Sequence, residues 1–186
     1  VTATGLVTPA DAEAPTRRRD AANTITVALA AFLGLLGAIR YGVQAETIVV
    51  VFALTVLVVI SRHDLERRVI PNRIVVPAWI AVLLAHLALH PGAWLEWLVA
   101  SFGAAAFFLA VALAYPAGLG MGDVKLALLI GATLGWAVVT ALFIGTLAAG
   151  LVAAAMLLQQ GFAARKRAIP LGPFLAGGAI VVLLFL

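Results

Sequence analysis

The chain has 186 residues, of which 65% are hydrophobic and 11% charged, and its mean hydropathy is +1.16. A water-soluble domain averages about 45–50% apolar and about 25% charged residues, so this composition excludes an ordinary soluble enzyme and indicates an all-α, polytopic bundle of transmembrane helices. Twelve Lys and Arg against eight Asp and Glu give a net charge of +4, which suits a lipid bilayer with an anionic leaflet; the cations sit in short loops and form no continuous basic face for nucleic acid.

The chain contains no cysteine, which excludes disulfides, thiolate metal sites and cysteine nucleophiles. Three scattered histidines (His63, His86, His90) make no metal site. Residues 1–21, with Arg17, Arg18, Arg19 and Asp20 near their end, carry no apolar run and read as a disordered cytoplasmic tail ahead of a membrane domain over 22–186. A cleaved signal peptide is a poor reading, because the first apolar segment is long enough to span and has no small-residue cleavage pattern behind it.

Apolar segments follow at 23–39, 47–61, 74–89, 94–115, 124–158 and 171–186. The fifth is too long for one crossing: as a single helix its roughly 35 residues would extend about 50 Å, against a hydrocarbon core of about 30 Å. Gly131, Gly135 and Trp136 mark its division. Charge parity gives the same answer. If the bases at 17–19, at Arg62, Arg67, Arg68 and Arg73, at Lys125, and at Arg165, Lys166 and Arg167 share the cytoplasmic side, an even number of crossings separates each group from the next. The expectation is about seven spans with the N-terminus cytoplasmic, the C-terminus outside and Arg40 alone on the outer face. Glycines in or beside spans (Gly34, Gly37, Gly103, Gly131, Gly145, Gly150, Gly177, Gly178) are expected to let helices pack closely.

Beyond the tail the carboxylates are Glu46, Asp64, Glu66, Glu96 and Asp123. Glu46 and Glu96 fall in outer loops and read as solvated interface charges, and His86 and His90 read as helix-end residues. The loop Ser61-Arg62-His63-Asp64-Leu65-Glu66-Arg67-Arg68-Val69-Ile70-Pro71-Asn72-Arg73 places Asp64 just after a span, and Pro71 separates that span from the next. Taken alone it is a charged turn in which Arg67 or Arg68 could pair with Asp64. The loop Tyr115-Pro116-Ala117-Gly118-Leu119-Gly120-Met121-Gly122-Asp123-Val124-Lys125 sets three glycines before an aspartate. They would let a foreign backbone approach the carboxylate, although an Asp opening a helix is also a common cap. The third loop, ending Pro170-Leu171-Gly172-Pro173-Phe174, reads by itself as a rigid turn.

Taken together, the loops put Asp64 and Asp123 at the cytoplasmic ends of helices in one small bundle. Two carboxyl groups brought close cannot both ionise, so one keeps a proton and the pair supplies an acid and a base. Such a pair can activate water against a peptide bond. No Ser-His-Asp set or HExxH sequence competes with it.

Asp64 followed by Ile70-Pro71-Asn72, then Gly120-Met121-Gly122-Asp123-Val124-Lys125, then Ile169-Pro170-Leu171-Gly172-Pro173-Phe174 resembles the type IV prepilin peptidase family, the bacterial GxGD-type membrane aspartyl proteases, from about residue 45 onward. The resemblance implies that Asp64 and Asp123 are the catalytic aspartates and that Gly120 and Gly122 are the signature glycines. It gives Lys125, Pro71, Asn72 and Pro170 a motif or positioning role. It also implies a prepilin-like membrane substrate cut on the cytoplasmic side of the bacterial plasma membrane, with no cofactor. Glu66 is a candidate contact for the substrate's leader, in competition with plain pairing on the helix surface. Longer family members carry a cysteine-bearing insert associated with N-methylation. The chain has no cysteines, and the loop after the first span covers only Arg40 to Glu46, which matches the short forms. The competing reading is a small proton-coupled transporter or channel with Asp64 and Asp123 as relays. That function would favour acids at mid-span rather than at span ends.

Overall fold

The computed structural model describes residues 9–116, 118–160 and 170–186, with 9–19 and 160 described by backbone alone. Seven α-helices are present among these residues: α1 Pro9–Tyr41, α2 Ala45–Arg67, α3 Asn72–Leu89, α4 Trp94–Ala114, α5 Met121–Leu134, α6 Val138–Gln160 and α7 Gly172–Phe185. Single 3-10 turns over Pro91–Ala93 and Gly135–Ala137 join α3 to α4 and α5 to α6. The described residues contain no strand, as the composition leads one to expect. The basic cluster at 165–167, Ala117, Ile169 and residues 1–8 lie outside the described residues, as do the side chains of most of the expected tail. The backbone of α1 is already helical from Pro9.

Five stretches are long and apolar enough to cross a membrane: Asp20–Tyr41, Ala45–Arg67, Asn72–Leu89, Pro91–Ala114 and Met121–Gln159. The last of these contains both α5 and α6. Its division falls at Gly135, where φ is +57°, a backbone conformation that costs an L side chain about 1–3 kcal/mol. A Cβ there would also stand 2.6 Å from Glu96 Oε1. Gly131 does not break the helix. It lies inside α5 against the α4 backbone, where a Cβ would meet the Ala100 carbonyl oxygen at 2.5 Å. α5 and α7 have 14 residues each, about 21 Å at 1.5 Å per residue, which is less than the hydrocarbon thickness of about 30 Å.

The helices alternate in direction, as contacts at the two ends of the bundle show. At one end Arg62 of α2 reaches Thr26 of α1 (3.3 Å), Lys125 of α5 reaches Asn72 of α3 (2.7 Å), and the Gly172 N–H at the start of α7 reaches Asp64 near the end of α2 (3.1 Å). At the opposite end the Tyr41 hydroxyl donates to the Leu183 carbonyl (3.0 Å), His90 meets Glu46 (3.1 Å), and the Trp136 N–H approaches Glu96 (3.3 Å). There His86 is buried and stacks on Trp97, with ring centroids 4.0 Å apart.

The core is formed by α2, α5 and α7, with Leu54, Leu57, Ile60, Leu126, Leu129, Ile130 and Leu175 fully enclosed. Close approach depends on glycine where helices touch backbone to backbone. A Cβ on Gly178 would collide with the Ala141 carbonyl of α6, and one on Gly145 would stand 2.7 Å from the Phe174 carbonyl oxygen. Gly103, Gly150 and Gly177, expected to pack in the same way, face open space. One buried polar group ties three helices together: the Ser101 hydroxyl of α4 accepts the Trp79 indole N–H of α3 (2.9 Å) and donates to the Leu128 carbonyl of α5 (2.8 Å).

Candidate active site

Asp64 lies in the last turn of α2 and is buried, 7% exposed. The helix ends three residues later, at Arg67. Arg68 adopts a left-handed conformation (φ +52°), and its N–H closes on the Asp64 carbonyl at 2.8 Å. Arg68 therefore caps the backbone at Asp64, and no ion pair joins Asp64 to Arg67 or Arg68 among the described residues. The Asp64 carboxylate Oδ2 instead accepts the Gly172 N–H. This donor is one of the first N–H groups of α7, which have no partner within their own helix and favour a negative group. Any side chain on Gly172 would place its Cβ 2.7 Å from Asp64 Oδ2.

Asp123 occupies the first turn of α5. Its N–H donates to the Gly120 carbonyl (3.1 Å), and its Oδ2 accepts the Gly120 N–H (3.2 Å), a reciprocal cap around the helix start. The two signature glycines act differently. A Cβ on Gly122 would come within 3.0 Å of the Ile70 side chain, so glycine there lets α5 abut the α2–α3 loop. A Cβ on Gly120 would stand at an ordinary 3.6 Å from Asp123 Oδ2, so the missing side chain keeps that flank of the carboxylate open.

These two segments are the walls of one cavity of about 440 Å³, lined by Asp64 and Arg68 through Asn72 on one side and Gly120 through Asp123, with Lys125, on the other. The Lys125 ammonium donates to the Asn72 side-chain carbonyl at 2.7 Å and ties the walls together. Pro71 caps α3, and its carbonyl accepts the N–H groups of Ile74 and Val75 at 3.0 and 3.2 Å. Pro170 stands two residues before the Gly172 donor and does not line the cavity. Asp64, Asp123, Gly120, Gly122, Pro71, Asn72 and Lys125 are thus brought together around one space.

Glu66 is not part of that space. It is exposed, pairs with Arg62 at 2.7 Å one helical turn away, and borders the clefts beside α1. Gly172 and Arg68 belong to the site through backbone N–H groups, roles that the sequence, which has Gly172 within a motif and Arg68 as a side-chain partner, does not assign. The clue to Gly172 was the Leu171-Gly172-Pro173 step: Pro in the first turn marks a helix start, and a helix start exposes N–H groups. Among the described residues no three His, Asp or Glu side chains gather closely enough to hold a metal ion.

Two carboxyl groups on one cavity, each braced by a backbone N–H and flanked by Arg68 and Lys125, can donate and accept protons across a bound polar group. Comparison with known proteins gives the family. The chain is 28% identical over 165 residues to the prepilin leader peptidase/N-methyltransferase of Bacillus subtilis (strain 168), an alignment covering 89% of this chain and 65% of that relative. It is 29% identical over 163 residues to the protein of the same name from Pseudomonas putida, covering 82% of this chain and 55% of the relative. The chain thus spans between about half and two thirds of the length of these curated relatives. No solved structure gives a significant match. Residues 50–158, which include both aspartates and the glycines beside Asp123, match the type IV leader peptidase family, and the chain belongs to that family.

Proposed function

We propose that the protein is a membrane aspartic endopeptidase that removes the short leader from prepilin-like or pseudopilin-like membrane precursors. The observation that carries this reading is the convergence of Asp64 and Asp123, from helices distant in sequence, on one open cavity. The names of the two relatives support the substrate class.

In this mechanism one aspartate is ionised and the other protonated. The ionised carboxylate takes a proton from water as the water oxygen attacks the scissile carbonyl carbon, and the protonated partner gives its proton to the carbonyl oxygen. The resulting gem-diol collapses: one hydroxyl gives its proton to the aspartate now ionised, the C–N bond breaks, and the leaving nitrogen takes the proton that the other aspartate drew from water, which restores the singly protonated pair. Either aspartate can begin as the acid, because a coupled pair titrates as a unit. The two carboxyl groups supply donor and acceptor, so the scheme uses neither metal nor cofactor. Gly172 orients Asp64, Gly120 orients Asp123, and the bare flank at Gly120 gives an extended substrate backbone room to reach the carboxylate.

The site is assigned to the cytoplasmic face of the bacterial plasma membrane. Among the described residues Arg62, Arg67, Arg68, Arg73 and Lys125 gather at the Asp64 end, while Arg40 lies at the other, the asymmetry that the positive-inside rule associates with the cytoplasm. Seven crossings, with the N-terminus inside and the C-terminus outside, follow from the same assignment.

Co-expression with a pilin-like precursor tests the reading. Wild type shortens the precursor, whereas Asp64→Ala and Asp123→Asn each slow cleavage by about 10²–10⁴-fold, the range of general acid–base catalysis. Processing that survives both substitutions would overturn the dyad.

A further inference from the structure

A second polar space lies at the same end of the bundle, on the face of α2 turned away from the aspartates. Asn23 and Thr26 of α1 and Arg62, His63, Glu66 and Arg67 of α2 border a cleft of about 760 Å³. It runs into an apolar slot of about 460 Å³ between α1, α2 and α7, walled by Ile25, Leu29, Val58, Gly177 and Ile180. Ala22, Thr26, Arg62 and Glu66 border both spaces, so the two form one amphipathic site with a polar mouth and an apolar floor. Gly177 explains the slot. Unlike Gly178 beside it, which packs on α6, a Cβ on Gly177 would meet nothing within 4 Å.

The charge of the mouth selects its occupant. Glu66 engages Arg62 through Nε at 2.7 Å, and Arg62 Nη1 reaches the Thr26 hydroxyl at 3.3 Å, which holds the guanidinium plane across the cleft. An anion entering the mouth would be met by Arg62 Nη2, the Arg67 guanidinium and the His63 ring. Two permanent cations against one carboxylate leave the mouth net positive, beside a slot that a charged or strongly hydrated molecule could not enter.

We propose that this cleft binds an anionic phospholipid, with the phosphate among Arg62, His63 and Arg67 and one acyl chain in the slot beside Gly177. The lipid fills the gap between α1 and α7 and braces the face of α2 opposite Asp64. The proposal is independent of the peptidase reading.

The test uses the full chain reconstituted in vesicles of equimolar phosphatidylcholine and phosphatidylglycerol, then extracted and purified, with the retained lipid identified by mass spectrometry. Wild type is expected to retain phosphatidylglycerol over phosphatidylcholine. Each basic side chain near an anionic surface is worth about 1 kcal/mol, or about five-fold, so Arg62→Gln with Arg67→Gln should cut the preference by about 25-fold. Gly177→Leu, which fills the slot and leaves both arginines, should reduce retention of the lipid without making inorganic phosphate a better competitor. Arg40→Gln, at the opposite end, should change nothing. Equal retention of the two lipids by wild type would overturn the proposal. So would a preference that survives both the double variant and Gly177→Leu, displacement of retained lipid by inorganic phosphate alone, or photocrosslinking from position 177 to a co-expressed precursor instead of to lipid.

Discussion

Gly172 joins the α7 helix start to the carboxylate at the end of α2, and its lack of a side chain is a condition of that bond. Gly172→Ala would force Asp64 away from its N–H donor, since the new Cβ would stand 2.7 Å from Oδ2. A misplacement of about 1 Å can cost about 10²-fold in rate, so the expected outcome is a fall in kcat on a pilin-like precursor with the unfolding midpoint little changed. The proposed pair also sets the pH response. Only the singly protonated pair holds both an acid and a base, so kcat/KM should fall on both sides of an optimum; a rate that is flat across the pH range would argue against it. That Asp64 and Asp123 would meet at one end of the bundle was legible in the sequence because acids are so scarce in an apolar chain that each could be weighed singly. The donor role of Gly172 was not, because a backbone N–H has no side chain to announce it. Glu66 shows the other limit: its charge was visible, but its pairing with Arg62 and its place on the far side of α2 depend on helix rotation.

At the scale of elements, the loops were legible because charged or Pro- and Gly-rich stretches interrupt the apolar segments, and Gly135 could be picked as a break in the fifth. The structure adds the reason, a positive φ beside Glu96. Gly135→Ala should therefore destabilise the protein by about 1–3 kcal/mol, measurable as a lower midpoint in chemical unfolding of the detergent-solubilised protein. Which helices pair was not legible. A helix that is apolar all round shows no stripe to mark its buried face, so sequence alone could not show α5 enclosed and α1 largely exposed, or separate Gly178, pressed on α6, from Gly177, which faces open space. Ser101 carries a comparable element-scale prediction. Ser101→Val removes the acceptor of the Trp79 indole and a link to α5, and should cost about 1–3 kcal/mol, the penalty of an unsatisfied buried polar group, in the same unfolding measurement.

At the scale of the whole molecule, the bundle places Asp64, Asp123, the cavity they border and most of its described cations at one end, and Glu46, Glu96 and an aromatic and histidine cluster at the other. α5 and α7, which carry Asp123 and the Gly172 donor, are also the two shortest helices, about 21 Å each. A helix shorter than the surrounding hydrocarbon is accommodated by bilayer thinning or by burial among its neighbours. Both short helices begin at the cavity, so a bilayer that thinned to meet them would dip beside it and bring headgroup water down with it. A dimpled membrane would bring water to the carboxylates without a channel and would let the end of an arriving apolar helix leave the hydrocarbon early, where its peptide bonds can open. Precursor cleavage should then be fastest in vesicles of short-chain lipid and slow progressively as acyl length grows, while unfolding of the bundle changes far less.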